Sequence, residues 1–251
     1  MSEKKKKENV FIIESLSAIK DYLQHSPESI VRFICKPSGV KKAKDLSDKI
    51  PIHIVKEEKK IDLNRSHKKR RESVLSAEIL FSALREDEFV RRLKREQEDK
   101  PPIIIVLDHL KDPVNIGGII RNAAFFGVPF IIIPSRRQAP INETVITAAQ
   151  GGTVYTKIVE VVNLARVLER LKKLNYWIVG GALEGRKVEN IKGEYQKIAL
   201  VIGSEDKGLS KLIKERCDVL VRISQSKQNA HNSLNASVAS AVLLYALQVP
   251  L

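Results

Sequence analysis

Short, almost wholly apolar segments alternate with longer amphipathic ones through the second half of the chain. The clearest apolar segments are IIIVLD at 103–108, FIIIP at 130–134 and KIALVIG at 197–203. Strands that are apolar on both faces are typical of parallel sheets covered by helices on both sides. The amphipathic segment NLARVLERLKKLN at 163–175 would suit such a covering layer. The pattern predicts an α/β fold with ligand sites at the carboxyl ends of its strands.

Composition and periodicity divide the 251 residues into four regions. Residues 1–9 are Lys-rich and are expected to form a disordered basic tail. Residues 10–82 are predicted to form a small α/β domain. Residues 83–100 are highly charged and have no apolar face wide enough for a core helix, so we interpret them as a linker, which could itself be helical. The domain that contains the parallel sheet occupies residues 101–251.

The positive charge of the chain is its first indication of a partner. Lys and Arg number 44 against 30 Asp and Glu, which gives a net charge of +14, and the richest stretch is RSHKKRR at 65–71. Positive surface attracts a phosphate backbone, although a run of charges can also be an ordinary solvated loop. The candidate nucleic-acid contacts are Arg65, Lys68, Lys69, Arg70 and Arg71.

Several classes of protein have no support in the sequence. The apolar runs are far too short to cross a bilayer and no signal-peptide pattern follows the N-terminus, so we expect a cytoplasmic protein without a membrane partner. Cys35 and Cys217 lie far apart, and the five histidines make no metal-binding spacing. We therefore expect no metal site, and interpret both cysteines as small buried side chains.

Two polar segments follow predicted strands and begin predicted helices. The first places Asn115 in the loop before a helix and Arg121 within that helix, where both could reach one cleft. The second contains Gly203, Glu205 and Gly208, but its lysine precedes the second glycine, which disfavours a nucleotide triphosphate loop. Each polar residue could instead cap a helix or lie on the surface.

The third polar segment is HNSLNAS at 231–237, which begins the last predicted helix. Ser233 and Asn235 could be site residues or simple helix caps, and the small residues that follow permit close packing against another helix or a second subunit. No Gly-x-Gly-x-x-Gly motif follows the first strand of the sheet, so a dinucleotide-binding enzyme is disfavoured.

The three segments, in this order, resemble the motifs of the SpoU/TrmH class of the SPOUT methyltransferase superfamily. The resemblance covers about residues 101–248, and within the class it is greatest to the bacterial 23S rRNA guanosine 2′-O-methyltransferase group. It is carried by Asp112, Asn115, Gly117 and Arg121 in the first motif, Gly203, Glu205 and Gly208 in the second, and Ser233, Leu234, Asn235 and Ser237 in the third.

The resemblance implies a C-terminal trefoil knot that binds S-adenosylmethionine, a homodimer, and an N-terminal domain that binds RNA. It implies cofactor contacts at Gly203, Ile223 and Leu234. One departure is that Ser224 follows Ile223 where the family has Pro-Met, in a loop without glycine that is about two residues longer. The reactive cleft implied by the family is formed by Asn115, Arg121, Glu205, Ser233 and Asn235.

The implied reaction is methyl transfer from S-adenosylmethionine to a ribose 2′-hydroxyl of RNA. A guanidinium stays protonated at neutral pH, so we expect Arg121 to grip a phosphate and stabilise the developing 2′-oxyanion rather than act as a base. Asn115 and Asn235 would position the ribose or Arg121, and Glu205 would orient Arg121 or a neighbouring hydroxyl.

The sequence is compatible with more than one RNA substrate. A guanosine of 23S rRNA is the first expectation, because of the narrower resemblance. A tRNA ribose methyltransferase of the same class, an rRNA-modifying resistance enzyme and a catalytically silent ribosome-assembly factor are the alternatives. The altered loop after Ile223 is what supports the silent factor, whereas the joint presence of the five cleft residues argues against it.

Overall fold

The computed structural model describes residues 9–55, 73–95, 103–226 and 233–247. The chain divides into two compact units, Met1–Ser82 and Ala83–Leu251. No helix in these described ranges is both long enough and apolar enough to cross a membrane. The predicted basic tail and the RSHKKRR run lie outside the described residues.

The first unit contains a four-stranded mixed sheet with the order β1-β4-β2-β3. Strand β4 pairs antiparallel with both β1 and β2, and β3 pairs parallel with β2. Strand β4 was not predicted from the sequence. Its alternating burial places Ala77 and Ile79 in the core, to which Ile19 and Phe33 also belong. The elements are β1 (Asn9–Ile13), α1 (Leu16–His25), β2 (Ile30–Cys35), α2 (Val40–Leu46), β3 (Ile52–Ile54) and β4 (Leu75–Phe81), with 3-10 turns at Pro27–Ser29 and Pro37–Gly39.

The second unit contains a seven-stranded sheet with the order β11-β9-β10-β6-β7-β8-β5, in which every neighbouring pair is parallel. This confirms the predicted α/β fold with a parallel sheet. Its strands are β5 (Leu84–Arg85), β6 (Ile103–Asp108), β7 (Phe130–Pro134), β8 (Lys157–Val161), β9 (Trp177–Lys187), β10 (Ile198–Gly203) and β11 (Val219–Arg222).

Every residue of the central strands β6 and β7 is buried, so both faces of the sheet are covered. Alternate residues of a strand point to opposite faces. Ile104 and Val106 accordingly belong to a core cluster with Phe89 and Leu168 on one face. The helices are α3 (Glu86–Arg95), α4 (Pro113–Phe125), α5 (Glu143–Ala149), α6 (Gly152–Tyr155), α7 (Leu164–Lys172), α8 (Lys211–Arg216) and α9 (Ala236–Leu247), with a 3-10 turn at Val188–Ile191.

The segment interpreted as a linker is part of the second unit. Strand β5 pairs with β8 at the edge of the sheet, and α3 follows it directly. Phe89 and Leu93 on α3 are completely buried, and the Phe89 ring meets Phe130 edge-on at 5.1 Å. The interpretation of 83–100 as a linker is therefore wrong for its described residues, 83–95. Two fully buried apolar side chains four residues apart anchor a helix whose other residues are mostly charged. A truncation that separates the units should end at residue 82.

The start of α4 also differs from the sequence interpretation. The Asp112 side chain caps the helix by accepting a hydrogen bond of 2.9 Å from the Val114 amide, and Pro113 occupies the first helical position. Asn115 consequently lies within the first turn of α4 rather than in the preceding loop.

Candidate functional site

The site begins where β6 and β10 end side by side at the carboxyl edge of the sheet. Gly203, the last residue of β10, pairs in register with Asp108, the last residue of β6. After Gly203 the chain makes a tight loop in which Ser204 and Gly208 exchange backbone hydrogen bonds of 2.9 and 3.0 Å. A Cβ atom on Gly203 would lie 2.2 Å from the Gly208 carbonyl carbon, so only glycine permits this loop.

Asp108 holds the end of this loop in place. Its carboxylate is fully buried and accepts hydrogen bonds of 2.6 Å from the Ser210 amide and 2.5 Å from Nδ1 of His109. A buried carboxylate needs such partners, because an unpaired one would be very costly. Asp108 was not among the residues predicted from the sequence, although its position at the end of an apolar strand was a usable signal. It fixes the loop that carries Glu205.

A chain of side-chain hydrogen bonds joins all three motif segments. Asn235 donates from Nδ2 to Oδ1 of Asn115 at 2.7 Å, and Asn115 donates from its own Nδ2 to Oε1 of Glu205 at 2.8 Å. Asn115 is buried, with 4% of its surface exposed. Buried amides are usually bonded through both groups, and here each bond fixes a residue far away in sequence. We call these three residues the amide relay.

Asn235 is in turn fixed at the start of α9. Its Oδ1 accepts hydrogen bonds from the Ser237 amide at 2.9 Å and from the Ser237 hydroxyl at 2.7 Å. Asn235 is thus a helix cap and also a member of the amide relay. The capping role therefore does not exclude a place for Asn235 in the candidate site.

Close contact between α4 and α9 sets the geometry of the relay. A Cβ atom on Gly118 would lie 2.8 Å from Cβ of Ser237, so the two helices approach nearly to backbone contact there. Asn122 donates to the Ser237 carbonyl at 2.7 Å and to the hydroxyl of the fully buried Ser240 at 3.1 Å. Sequence reasoning missed Asn122, because an Asn within a helix carries no distinctive signal.

A cavity of about 720 Å³ lies beside the relay. All three residues predicted to contact the cofactor line it, and so do two of the predicted cleft residues. The lining predicted from the sequence comprises Gly203, Ile223, Leu234, Glu205 and Ser233.

Strand β9 supplies a wall of the cavity that the sequence did not reveal. Leu220 and Val221 of β11 are consecutive, but they pair with Gly180 and Arg186 of β9. Residues 181–185 therefore leave the β11 ladder, and residues 181–184 line the cavity. A sequence pattern cannot show such an excursion, because it depends on the pairing of distant strands.

Arg121 is placed apart from the relay. It lies six residues after Asn115, so it faces a different side of α4, where Gly152 packs against its backbone. The Arg121 side chain is exposed, does not line the cavity, and has no hydrogen bond or ion pair within the described part of the chain. The carboxylate of Glu205 is bonded to Asn115 instead.

The two cysteines offer no reactive thiol. Burial raises the pKa of Cys217 to about 12 and also raises the pKa of Cys35. Both thiols therefore stay protonated at neutral pH and are poor nucleophiles. Among the described residues, no group of three or more His, Cys, Asp or Glu side chains could hold a metal ion.

The parallel sheet and the cavity at its carboxyl edge define an α/β ligand-binding domain. Within that class the chain belongs to the SpoU rRNA methylase family, whose model matches residues 102–245. The match covers the sheet from β6 onward and all three motif segments.

Two curated relatives show the range of proteins to which the chain is similar. It is 40% identical over 151 residues to a putative TrmH family tRNA/rRNA methyltransferase of Bacillus subtilis. The aligned residues make up 60% of this chain and 59% of that protein. It is 38% identical over 181 residues to a 23S rRNA (guanosine-2′-O-)-methyltransferase of Blochmanniella floridana, which is 72% of this chain and 70% of that protein. The first match thus spans less than two thirds of the relative's length.

Solved structures share the fold. A SpoU methyltransferase from Streptomyces viridochromogenes, crystallised with S-adenosylmethionine, superposes with a TM-score of 0.76 at 21% identity, over 95% of this chain and 89% of that one. An rRNA methyltransferase from Sinorhizobium meliloti superposes with a TM-score of 0.74 at 20% identity, and the match covers 95% of this chain and 86% of that one.

Proposed function

We propose that this protein transfers a methyl group from S-adenosylmethionine to a ribose 2′-hydroxyl of RNA. The observation that carries the proposal is the amide relay, which joins three segments far apart in sequence at the rim of one cavity. Membership of a family of rRNA methylases gives the chemistry its context.

The cavity suits S-adenosylmethionine in size and in chemistry. Pockets for ligands of this size measure about 300–1,000 Å³ and combine apolar walls with a few polar groups. Ile202, Leu209 and Val221 offer an apolar surface for a purine ring, and Gly203 and Gly208 contribute backbone to the cavity wall. Ile223 and Leu234 would complete the walls around the adenosyl group. When bound, this cofactor supplies an electrophilic methyl group on a sulfonium.

The relay gives Glu205 a defined orientation toward the acceptor. One carboxylate oxygen is bonded to Asn115, and the other has no hydrogen bond within the described part of the chain. That second oxygen would accept a hydrogen bond from the 2′-hydroxyl and hold it in line for attack. Asn115 and Asn235 act by fixing Glu205, and Ser233 on the cavity wall would contact the ribose.

Arg121 has the properties of a group that meets RNA rather than the cofactor. It is exposed and free of partners among the described residues, so its five N–H donors are available for a phosphate and a developing 2′-oxyanion. Its separation from the relay means that bound RNA, a neighbouring subunit or both would bring it to the reacting atoms.

A guanosine of 23S rRNA is the proposed target, and a tRNA ribose is the alternative. The Blochmanniella relative is named for the first activity, whereas the Bacillus relative is named for tRNA or rRNA without distinction. The 2′-hydroxyl itself restricts the substrate to RNA rather than DNA.

Methyl transfer to purified rRNA and tRNA tests the function directly. The protein is incubated with methyl-labelled S-adenosylmethionine and each RNA, and the labelled nucleotide is mapped. Label at one ribose of 23S rRNA supports the first target, and label in tRNA supports the alternative. Absence of label on both, with RNA binding retained, would favour the silent assembly factor.

The unit Met1–Ser82 is proposed to bind RNA through the basic run at 65–71. Replacing Arg65, Lys68, Lys69, Arg70 and Arg71 by serine is expected to weaken RNA binding about tenfold or more. The slope of log affinity against log salt concentration should become shallower by up to about 3.5. Each phosphate contact to a single strand contributes about 0.7 to this slope, and five basic residues are removed. Fluorescence titration at several salt concentrations measures both.

Cofactor binding is the control for the serine variant. Calorimetry with S-adenosylhomocysteine should give the same affinity as for the unchanged protein, because the run belongs to the other compact unit. An unchanged salt dependence would mean that the run is only a solvated segment.

We infer that the protein is a homodimer that associates through α9. Val238, Val242 and Tyr245 lie on one side of this helix and are 48%, 36% and 73% exposed. Exposed apolar stripes of this kind usually mark interfaces. Sedimentation should give twice the chain mass of 28.3 kDa. Tyr245→Lys should shift the protein toward the monomer, and Leu212→Lys on α8, where the leucine is 52% exposed, should not.

We also propose the C-terminal knot and a cytoplasmic location. The support for the knot is that β11 pairs with β9, whose residues 181–185 leave that ladder, whereas α9, the next described helix along the chain, contacts β10. Helix α9 then packs against α4 and β10 on the far side of β9 in the sheet order.

A further inference from the structure

An ion pair on the cavity wall has no part in the chemistry described above. Glu184 lies in the excursion of β9, and Lys214 lies on α8; both line the cavity, and their charged groups are paired. Their side chains are 53% and 43% exposed. The hydrogen bond from Lys214 lowers the pKa of Glu184, so this carboxylate is ionised at neutral pH.

The other two acidic residues of the cavity wall are bonded to residues outside the lining. Glu205 is bonded to Asn115, and Asp206 is paired at 3.6 Å with Lys111, which does not line the cavity. Among the described residues, the pair of Glu184 and Lys214 is therefore the one ion pair with both members on the wall.

The contribution of this ion pair to folding stability is expected to be small. Exposed ion pairs contribute little to folding, because water screens both charges and the side chains lose entropy. A ligand that carries both charges would bind to the two groups at once and displace water from each. Such a ligand must present an ammonium and a carboxylate a few ångströms apart, which an α-amino acid does.

We propose that Glu184 and Lys214 bind the α-amino-acid end of S-adenosylmethionine, with its ammonium on Glu184 and its carboxylate on Lys214. This inference rests on the proposed function, because it concerns the donor of that reaction. The adenosyl group then occupies the apolar part of the cavity. The two charged residues make the site select sulfonium donors with an amino-acid tail over adenosine thioethers without one.

Calorimetry with two ligands tests the proposal without turnover. S-adenosylhomocysteine has the amino-acid tail, and 5′-methylthioadenosine lacks it but keeps the adenosine and the sulfur. Glu184→Gln and Lys214→Met should each weaken binding of the first ligand about five- to tenfold and leave binding of the second unchanged. Thermal unfolding of each variant checks that it folds.

Glu194→Gln is the matched control. Glu194 is also an exposed glutamate, paired with Arg186 at 2.9 Å, but neither member lines the cavity. This variant makes the same change in net charge as Glu184→Gln and should bind both ligands as the unchanged protein does.

The outcomes separate this inference from the proposed function. Equal weakening of both ligands would show that the pair only supports the cavity wall or contacts the nucleoside, and would overturn the inference. Unchanged binding of both would overturn it too. Failure of the unchanged protein to bind either ligand would instead contradict the proposed function itself.

Discussion

The Arg121→Ala variant is expected to lose methyl transfer by a factor of about 10³ while it binds S-adenosylhomocysteine normally. Removing one group that stabilises a developing oxyanion commonly costs 10²–10³ in rate, and Arg121 would also release its phosphate. Cofactor affinity should not change, because the Arg121 side chain lies outside the cavity and has no bond to the amide relay. Single-turnover methyl transfer and calorimetry measure the two quantities.

Arg91→Ala provides the matched control for Arg121→Ala. Arg91 is an exposed arginine on α3 of the same unit, and it forms an ion pair with Asp87 at 3.4 Å, one helical turn away. It should leave both methyl transfer and cofactor binding unchanged. Retained methyl transfer in Arg121→Ala would refute the assignment of Arg121. A tenfold loss of cofactor affinity in that variant would show that it acts through the cavity.

The sheet of the second unit could be predicted because its strands are apolar on both faces. Strands β6, β7 and β10 are runs of Ile, Val and Leu that suit few environments other than a buried sheet. The packing of helix α3 against the sheet was missed, because Glu, Asp, Lys and Arg occupy most of its positions. The helix is held against the sheet by the tertiary contacts of Phe89 and Leu93. The local sequence pattern carries no information about such long-range contacts.

The candidate site was predictable in its residues but not in its connections. Asn115, Glu205 and Asn235 were identified from their motifs, and the structure joins them by two hydrogen bonds. The direction of those bonds, and the separation of Arg121 from them, depend on where α4 begins and how it meets α9. Asp108 and the β9 excursion depend on strand register, which only the folded chain defines.

Phe89→Ala is expected to lower the free energy of unfolding of the second unit by about 3–5 kcal/mol, the usual effect of deleting a fully buried aromatic ring. The lost contacts include the edge-on packing against Phe130 and the attachment of α3 to the sheet. Urea unfolding followed by tryptophan fluorescence measures this unit alone, because the single tryptophan of the chain, Trp177, belongs to it.

Phe125→Ala is the control that distinguishes the effect of burial from the effect of replacing any phenylalanine by alanine. Phe125 is at the end of α4 in the same unit but is 83% exposed, so its replacement should change the free energy of unfolding by about 0.5 kcal/mol or less. If the two variants unfolded at the same urea concentration, α3 would not be part of the folded unit. Residues 83–95 would then be the charged linker that their composition suggests. A clear difference makes α3 the first helix of the second unit, because its burial stabilises the edge of the sheet at β8 and β5.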